Sequence, residues 1–134
     1  MIKISVVIPS FNQGKYIKET LESVFNQDYP AHEIIVIDGG STDETVAILK
    51  DLNSKITFWL SEKDNGQSHA INKGFERCTG DVICWLCSDD LFEQGALGKV
   101  ARSFETLDEK TGLIHGDTLL FDHNGIITRD NGYA

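Results

Sequence analysis

The chain has 134 residues, 40% of them hydrophobic and 25% charged, with a formal net charge of −9. That is one globular domain, residues 1–134, and not a disordered, collagen-like or disulfide-dense chain. The acidic balance excludes a reader of nucleic-acid phosphates and unassisted binding to an anionic membrane, since both need clustered Lys and Arg. No apolar run approaches a transmembrane length, and "MIKISVVIPS" reads as a strand, not a secretory leader. Three cysteines without framework spacing point to a reducing compartment, the cytoplasm.

Ile2 to Ile8 is an apolar, β-branched run closed by Pro9, which predicts a strand buried on both faces. After the loop "SFNQGK", Ile17, Leu21, Val24 and Phe25 share one helical face, and Pro30 ends that helix. Glu33 to Ile37 predicts a second strand. In "DGGSTDE", Ser41 and Glu44 have capping-box spacing ahead of a helix carrying Val46, Ile48 and Leu49. Ile56 to Leu60 predicts a third strand, followed by the loop "SEKDNGQ" and a helix over about 68–77. Val82 to Leu86 predicts a fourth strand, the acidic pair Asp89-Asp90 follows it, and a further helix covers about 95–107. The tail reads as a short strand and a hairpin around Asn124-Gly125, a strong turn dipeptide. Four strand–helix alternations predict an α/β fold with a mainly parallel sheet, to which the hairpin adds antiparallel strands.

Ligands of such sheets sit outside the carboxyl ends of the strands. There the sequence delivers Pro9-Ser10-Phe11-Asn12, Asp38, Glu62 with Asp64, and Asp89 with Asp90. Uncompensated carboxylates on one edge repel, so a hard divalent cation, Mn²⁺ or Mg²⁺, is the expected partner, its shell completed by phosphate oxygens. Loop acids also cap helices; Asp43 and Asp81 fit that role, and Asp38 alone fits either. Phe11 suits stacking on a base or packing under its loop equally well. Trp59 and Trp85, inside apolar strands, are expected in the core. Cys84 and Cys87 read as buried thiols, because residues three apart on a strand lie roughly 10 Å apart and on opposite faces. No P-loop, dinucleotide fingerprint or serine-nucleophile elbow occurs.

The blocks "ISVVIPSFNQGKYIKETLESVFNQDYP", "EIIVIDGGSTDET", "DNGQSHAINKGF" and "GDVICWLCSDDLFEQGAL", in that order, resemble the family-2 inverting glycosyltransferases of GT-A fold. The resemblance implies transfer of a sugar from a nucleotide-diphosphate sugar, most often a UDP-sugar, to an acceptor hydroxyl in glycan or polysaccharide biosynthesis. It implies a nucleotide pocket of Pro9, Phe11 and Asn12, with Asp38 accepting a hydrogen bond from the base and Asp64 near the nucleoside. Asp89 would contact sugar or ribose, and Asp90 would be the metal ligand and the catalytic residue of the pair. Two positions depart from the family pattern: Gly39 replaces the second acid of "DDGS", and Gln94 stands where Pro is common. The family's catalytic base lies after the hairpin, later than Asp117 or Asp122, so the chain is expected to be the donor-binding half of a larger catalytic domain, with self-association possible through an unfinished sheet. Against this stand a non-catalytic nucleotide-sugar-binding module, a sugar nucleotidyltransferase, for which "SFNQGK" offers only one Gly and one Lys, and a response-regulator-type phosphoacceptor, which needs an acidic pair after the first strand.

Overall fold

A computed structural model describes residues 1–125 and, for backbone only, 127–130. Four parallel strands, β1 (Ile4–Ser10), β2 (Glu33–Asp38), β3 (Phe58–Ser61) and β4 (Val82–Trp85), form a sheet in the order β3-β2-β1-β4. Between them run helices α1 (Ile17–Phe25), α2 (Thr45–Asp51) and α3 (Gln67–Phe75), and α4 (Ala96–Thr106) follows β4.

Every residue of β1 and β2 is buried, as the uninterrupted apolar runs require. Alternation sorts their side chains between two cores. Ile4, Val6, Ile8, Ile34 and Val36 pack with Ile17, Leu21 and Val24 of α1, Leu49 of α2, and Leu97 and Ala101 of α4. Val7, Ile35 and Ile37 pack with Ala70 of α3 on the opposite face. Fully burying each such Ile, Leu or Val contributes about 1.5–3 kcal/mol. On the second face α3 lies close to the sheet because Gly74 has no side chain: a Cβ there would come within 2.3 Å of Val7 Cγ1.

β1 runs two residues past the expected stop, through Pro9 and Ser10. Ser10 carbonyl accepts from Gly39 N–H on the β2 side, whereas Val7 carbonyl accepts from Leu86 N–H on the β4 side. By alternation the N–H that Pro9 lacks would face β4, whose pairing has already ended at Val7 with Trp85. The proline therefore removes no ladder bond.

Other expectations are corrected. Trp85 is not in the core: it is 53% exposed on β4, an edge strand, with its ring 6.2 Å from that of Phe75 in an edge-on contact. Trp59 is partly buried against the larger core and donates to Asn53 Oδ1 at 2.8 Å. The capping box of Ser41 with Glu44 is not made. Glu44 is itself the residue before α2, Ser41 Oγ donates to Asp38, and Asp43 Oδ1 accepts from Thr45 N–H instead. Asp81 is not a helix cap either; it accepts the N–H of Lys3 at 2.8 Å, holding the start of β1. The tail has no strand before the hairpin. β5 (Thr118–Phe121) pairs antiparallel with β6 (Ile127–Asp130) around the turn closed by Gly125 N–H on Asp122 carbonyl, as a separate two-stranded sheet that does not extend the main one. The residues after Asp130 lie outside the described ones. Among the described residues no helix is long and apolar enough to cross a membrane.

Candidate nucleotide-sugar site

β2 and β3 lie on one side of β1 and β4 on the other, so the loops leaving the carboxyl ends of β1 and β4 diverge and open a crevice. A pocket of about 800 Å³ occupies it. Its wall is Pro9, Ser10, Phe11 and Gln13 after β1, Gly39 and Gly40 after β2, Lys63 and Asp64 after β3, Gly66, Gln67 and Ala70 at the start of α3, and Cys87, Ser88 and Asp89 after β4.

Each loop is fixed from a neighbouring element. The chain turns immediately beyond β4, with Asp90 N–H on Cys87 carbonyl at 3.0 Å, and the turn presents Asp89 and Asp90 side by side, both exposed. Gln27, buried after α1, donates to Glu93 carbonyl and accepts from Leu97 N–H, while Ser23 Oγ accepts from Phe92 N–H. Gln94 donates to Asn26 carbonyl, a tether that a proline at 94 would lack. Helix α1 thus clamps the segment that carries the acidic pair.

Of the residues expected at the site, Pro9, Phe11, Asp64 and Asp89 line the pocket. Asp90 adjoins it through Asp89. Partial desolvation of the carboxyl at the turn, and then the charge of Asp89, push Asp90 above the usual range. Phe11 is 60% exposed, so it does not pack under its loop and its ring is free to meet a ligand.

Asn12 and Asp38 are not among the pocket's lining residues, and their side chains are engaged within the protein. Asn12, at φ +49°, turns its Oδ1 to the N–H groups of Thr42 at 2.9 Å and Asp43 at 3.4 Å, bracing the loop after β2. Asp38 has no exposed surface. Its Oδ1 accepts from Ser41 Oγ at 2.5 Å, and its Oδ2 accepts from Ser61 Oγ at 2.6 Å, Ser41 N–H at 2.8 Å and Gly40 N–H at 3.2 Å. Such a carboxylate is satisfied from within the protein and holds the loop around it. The edge is less acidic than its composition implies for a second reason: Glu62 pairs with Lys73 at 2.9 Å, which lowers its pKa.

Sequence reasoning passed over several wall residues. Ser10 is 6% exposed, and its Oγ has no hydrogen-bond partner among the described residues, an orphaned polar atom at the wall of a pocket. Gly39 and Gly40 line the pocket with Asp64 and the Lys63 backbone packed beside them, and their doubled occurrence was the available signal. Cys84 and Cys87 are both half-buried, so neither is the fully buried thiol expected; Gln67 Nε2 donates to the Cys87 sulfur at 3.0 Å at the pocket, and the Cys84 thiol is pushed up to about 12, chiefly by desolvation. Burial and then Asp90 hold the Cys87 thiol above its ordinary value as well, so it is protonated and not an activated nucleophile.

A divalent cation is tested against this donor set. Asp89 and Asp90 supply hard oxygens with unrelieved like charge, and no cluster of three or more His, Cys, Asp or Glu that could hold a metal exists among the described residues. Two carboxylates and no protein cage suit Mg²⁺ or Mn²⁺ shared with substrate phosphates, and do not suit zinc or calcium.

Comparison with known proteins accords with this geometry. Residues 5–112 match the model of glycosyl transferase family 2, and the chain belongs to that family. It is 44% identical over 120 residues to a dolichyl N-acetyl-alpha-D-glucosaminyl phosphate 3-beta-D-2,3-diacetamido-2,3-dideoxy-beta-D-glucuronosyltransferase of Methanococcus voltae, covering 84% of this chain and 37% of that protein. It is 32% identical over 131 residues to the poly(ribitol-phosphate) beta-N-acetylglucosaminyltransferase TarS of Staphylococcus aureus, covering 94% of this chain and 22% of TarS. The chain therefore spans between a fifth and two fifths of the length of these relatives. The crystal structure of TarS 1-349 in complex with UDP-GlcNAc superposes with a TM-score of 0.70 at 29% identity, over 78% of this chain and 31% of that one. The mannosyltransferase PcManGT of Pyrobaculum calidifontis, in complex with GDP-Man and Mn²⁺, superposes at 0.69 and 25% identity, over 75% of this chain and 32% of that one. The parallel sheet with helices on both faces is the GT-A fold of these neighbours.

Proposed function

We propose that the protein is a metal-dependent inverting glycosyltransferase that takes its sugar from a nucleoside diphosphate sugar, UDP-linked first, and passes it to an acceptor hydroxyl in glycan or polysaccharide synthesis. The observation that carries this is the crevice itself: an exposed aromatic ring, Phe11, and the carboxylate of Asp89 line one pocket large enough for a nucleotide sugar, and Asp90 adjoins it through Asp89. One neighbour of the same fold binds UDP-GlcNAc and another binds GDP-Man and Mn²⁺, which supports the same class of donor here.

In this reading Pro9 and Phe11 bind the base, Asp89 meets the ribose or sugar, and Asp90 holds the divalent cation. When bound, that cation supplies positive charge to the diphosphate as it leaves. The acceptor oxygen loses its proton to a general base and bonds to the anomeric carbon, while the carbon–oxygen bond to the diphosphate breaks with its electron pair on the diphosphate. Attack opposite the leaving group inverts the anomeric centre. Asp117 and Asp122 do not line the pocket, and neither is assigned as that base. Asn12 and Asp38 act by shaping the loop around the nucleotide.

The test is donor turnover by the full-length protein with UDP-sugars and GDP-sugars, followed by proton NMR of the anomeric signal. Mn²⁺-dependent release of the nucleoside diphosphate with an inverted product is expected. A product of retained configuration overturns inversion, and release unaffected by chelator overturns metal dependence.

A further inference from the structure

The turn that carries Asp89 and Asp90 starts at Cys87, whose carbonyl accepts the Asp90 N–H at 3.0 Å. The two acids are exposed, adjacent and of like charge, so their arrangement depends on how the turn is anchored. One anchor comes from α1, through Ser23 Oγ on the Phe92 N–H and Gln27 on Glu93 and Leu97. That anchor takes hold beyond the acids. Cys87, before them, is held by α3, which packs on the opposite face of the sheet from α1. Gln67 Nε2 donates to the Cys87 sulfur at 3.0 Å, and among the described residues no other hydrogen bond joins α3 or the loop before it to that turn. Gln67 is the first residue of α3. Gly66, at φ +107°, makes the turn into the helix, and its N–H donates to Asp64 Oδ1 at 2.9 Å. Asp64, Gln67 and Cys87 all line the pocket.

We propose that Gln67 is a positioning residue for the acidic pair, acting through Cys87. The bridge and the α1 clamp fix the turn at both ends, so the carboxylates are already arranged when a divalent cation arrives. The inference rests on the nucleotide-sugar reading of the pocket and deepens it. A nucleotide seated beside Asp64 and Gln67 and a cation held at the acids share one hydrogen-bonded frame, so each strengthens the binding of the other. A thiol is a weak acceptor, and loss of the bridge therefore loosens the turn without unfolding the chain.

The test is calorimetric titration of UDP, with and without Mn²⁺, into the wild type, Cys87→Ala, Cys87→Ser, Gln67→Leu and the double variant Cys87→Ala with Gln67→Leu. A thermal unfolding curve accompanies each. The readout is the ratio of the affinities with and without metal; a contact that either side chain makes directly with the nucleotide is present in both titrations and cancels. Cys87→Ala and Gln67→Leu should each lower that ratio by about 3- to 10-fold, the effect of one hydrogen bond, and unfold at the wild-type temperature. The double variant should lose no more than either single one, because both remove the same bond. Cys87→Ser, whose hydroxyl also accepts from the amide, should keep the wild-type ratio. Gln67 is exposed, so Gln67→Leu decides the matter should Cys87→Ala lose stability. A wild-type ratio in Gln67→Leu, losses that add in the double variant, or a Cys87→Ser as impaired as Cys87→Ala overturns the inference while leaving the pocket reading intact. A wild type that binds UDP no better with Mn²⁺ overturns the metal reading of the acidic pair and this inference with it, and one that binds no nucleoside diphosphate overturns the pocket reading itself.

Discussion

Asn12 and Thr42 are joined by a 2.9 Å hydrogen bond from the Thr42 N–H to the Asn12 side-chain oxygen, tying the loop after β1 to the loop after β2. Asn12 adopts φ +49°, a conformation that Asn tolerates better than most residues. Replacing it by Gly keeps the backbone at ease and removes only the side-chain bonds, whereas Ala adds backbone strain. Asn12→Gly should cost about 1–2 kcal/mol in denaturant unfolding, and Asn12→Ala more. Nucleotide affinity should fall in both, following the loss of loop order. A wild-type melting curve for Asn12→Gly would mean that the brace contributes nothing.

Asp38 makes a sharper case of the same kind. Asp38→Ala removes a fully buried carboxylate and leaves the partly buried Ser61 and Ser41 hydroxyls and two loop N–H groups without their acceptor. We expect a loss of about 2–4 kcal/mol by chemical denaturation, since four hydrogen bonds to a charged acceptor are lost at about 1.5–3 kcal/mol each before water and relaxation recover part of them. A substitution that left stability intact and abolished base binding would instead make Asp38 a ligand contact.

The acidic pair is expected to trade stability for function. Asp90→Asn removes the repulsion with Asp89 on an exposed turn, so its melting temperature should equal or exceed that of the wild type. Stimulation of nucleotide binding by Mn²⁺ should disappear in the same protein. Measuring both on one preparation separates this outcome from simple unfolding.

Gly74 sets the distance between α3 and the sheet. Gly74→Ala puts a methyl 2.3 Å from Val7 Cγ1 and 3.0 Å from Cγ2, so the helix must shift outward. The expected cost is about 1–3 kcal/mol, despite alanine's better helix propensity. Because Gln67 and Ala70 of the same helix line the pocket, UDP affinity should fall as well.

Glu33 supplies a pH dependence. It is 8% exposed at the start of β2, where burial alone would raise its pKa. Hydrogen bonds from Ser5 Oγ, Thr79 N–H and Thr79 Oγ1, with help from His32, outweigh that and lower it. A carboxyl depressed on folding stabilises the native state above its unfolded pKa of about 4.3, and that contribution is lost as pH falls through the lower folded value. Glu33→Gln should therefore be less stable than the wild type at pH 7, and the gap should narrow below about pH 4 in a series of urea titrations. A gap that stays constant down to pH 3 would contradict the linkage.

Much of this was legible in the residues. The unbroken apolar runs of β1 and β2 announced strands covered on both faces, and the i, i+4, i+7 spacing of Ile17, Leu21 and Val24 marked the buried face of α1. The acidic pair and Phe11 announced themselves by falling just beyond strands. What sequence could not show was which loop acid is consumed by its neighbours. Asp38 and Asp64 look alike in a string, yet Ser41 and Ser61 satisfy one and a missing side chain at Gly39 makes room for the other. Trp85 looked like core because its strand is apolar, but β4 lies at an edge of the sheet and strand composition does not reveal the edge. The Ser41 capping box failed because Asp38, three residues earlier and buried, competes for the same hydroxyl.

The most direct measurement is calorimetric titration of UDP into the protein with and without Mn²⁺, with Asp90→Asn in parallel. Wild-type binding that Mn²⁺ strengthens at least tenfold is expected, with no such strengthening in Asp90→Asn. Equal affinity with and without metal, or Mn²⁺ stimulation that survives Asp90→Asn, would contradict the assignment of the diphosphate to the acidic pair.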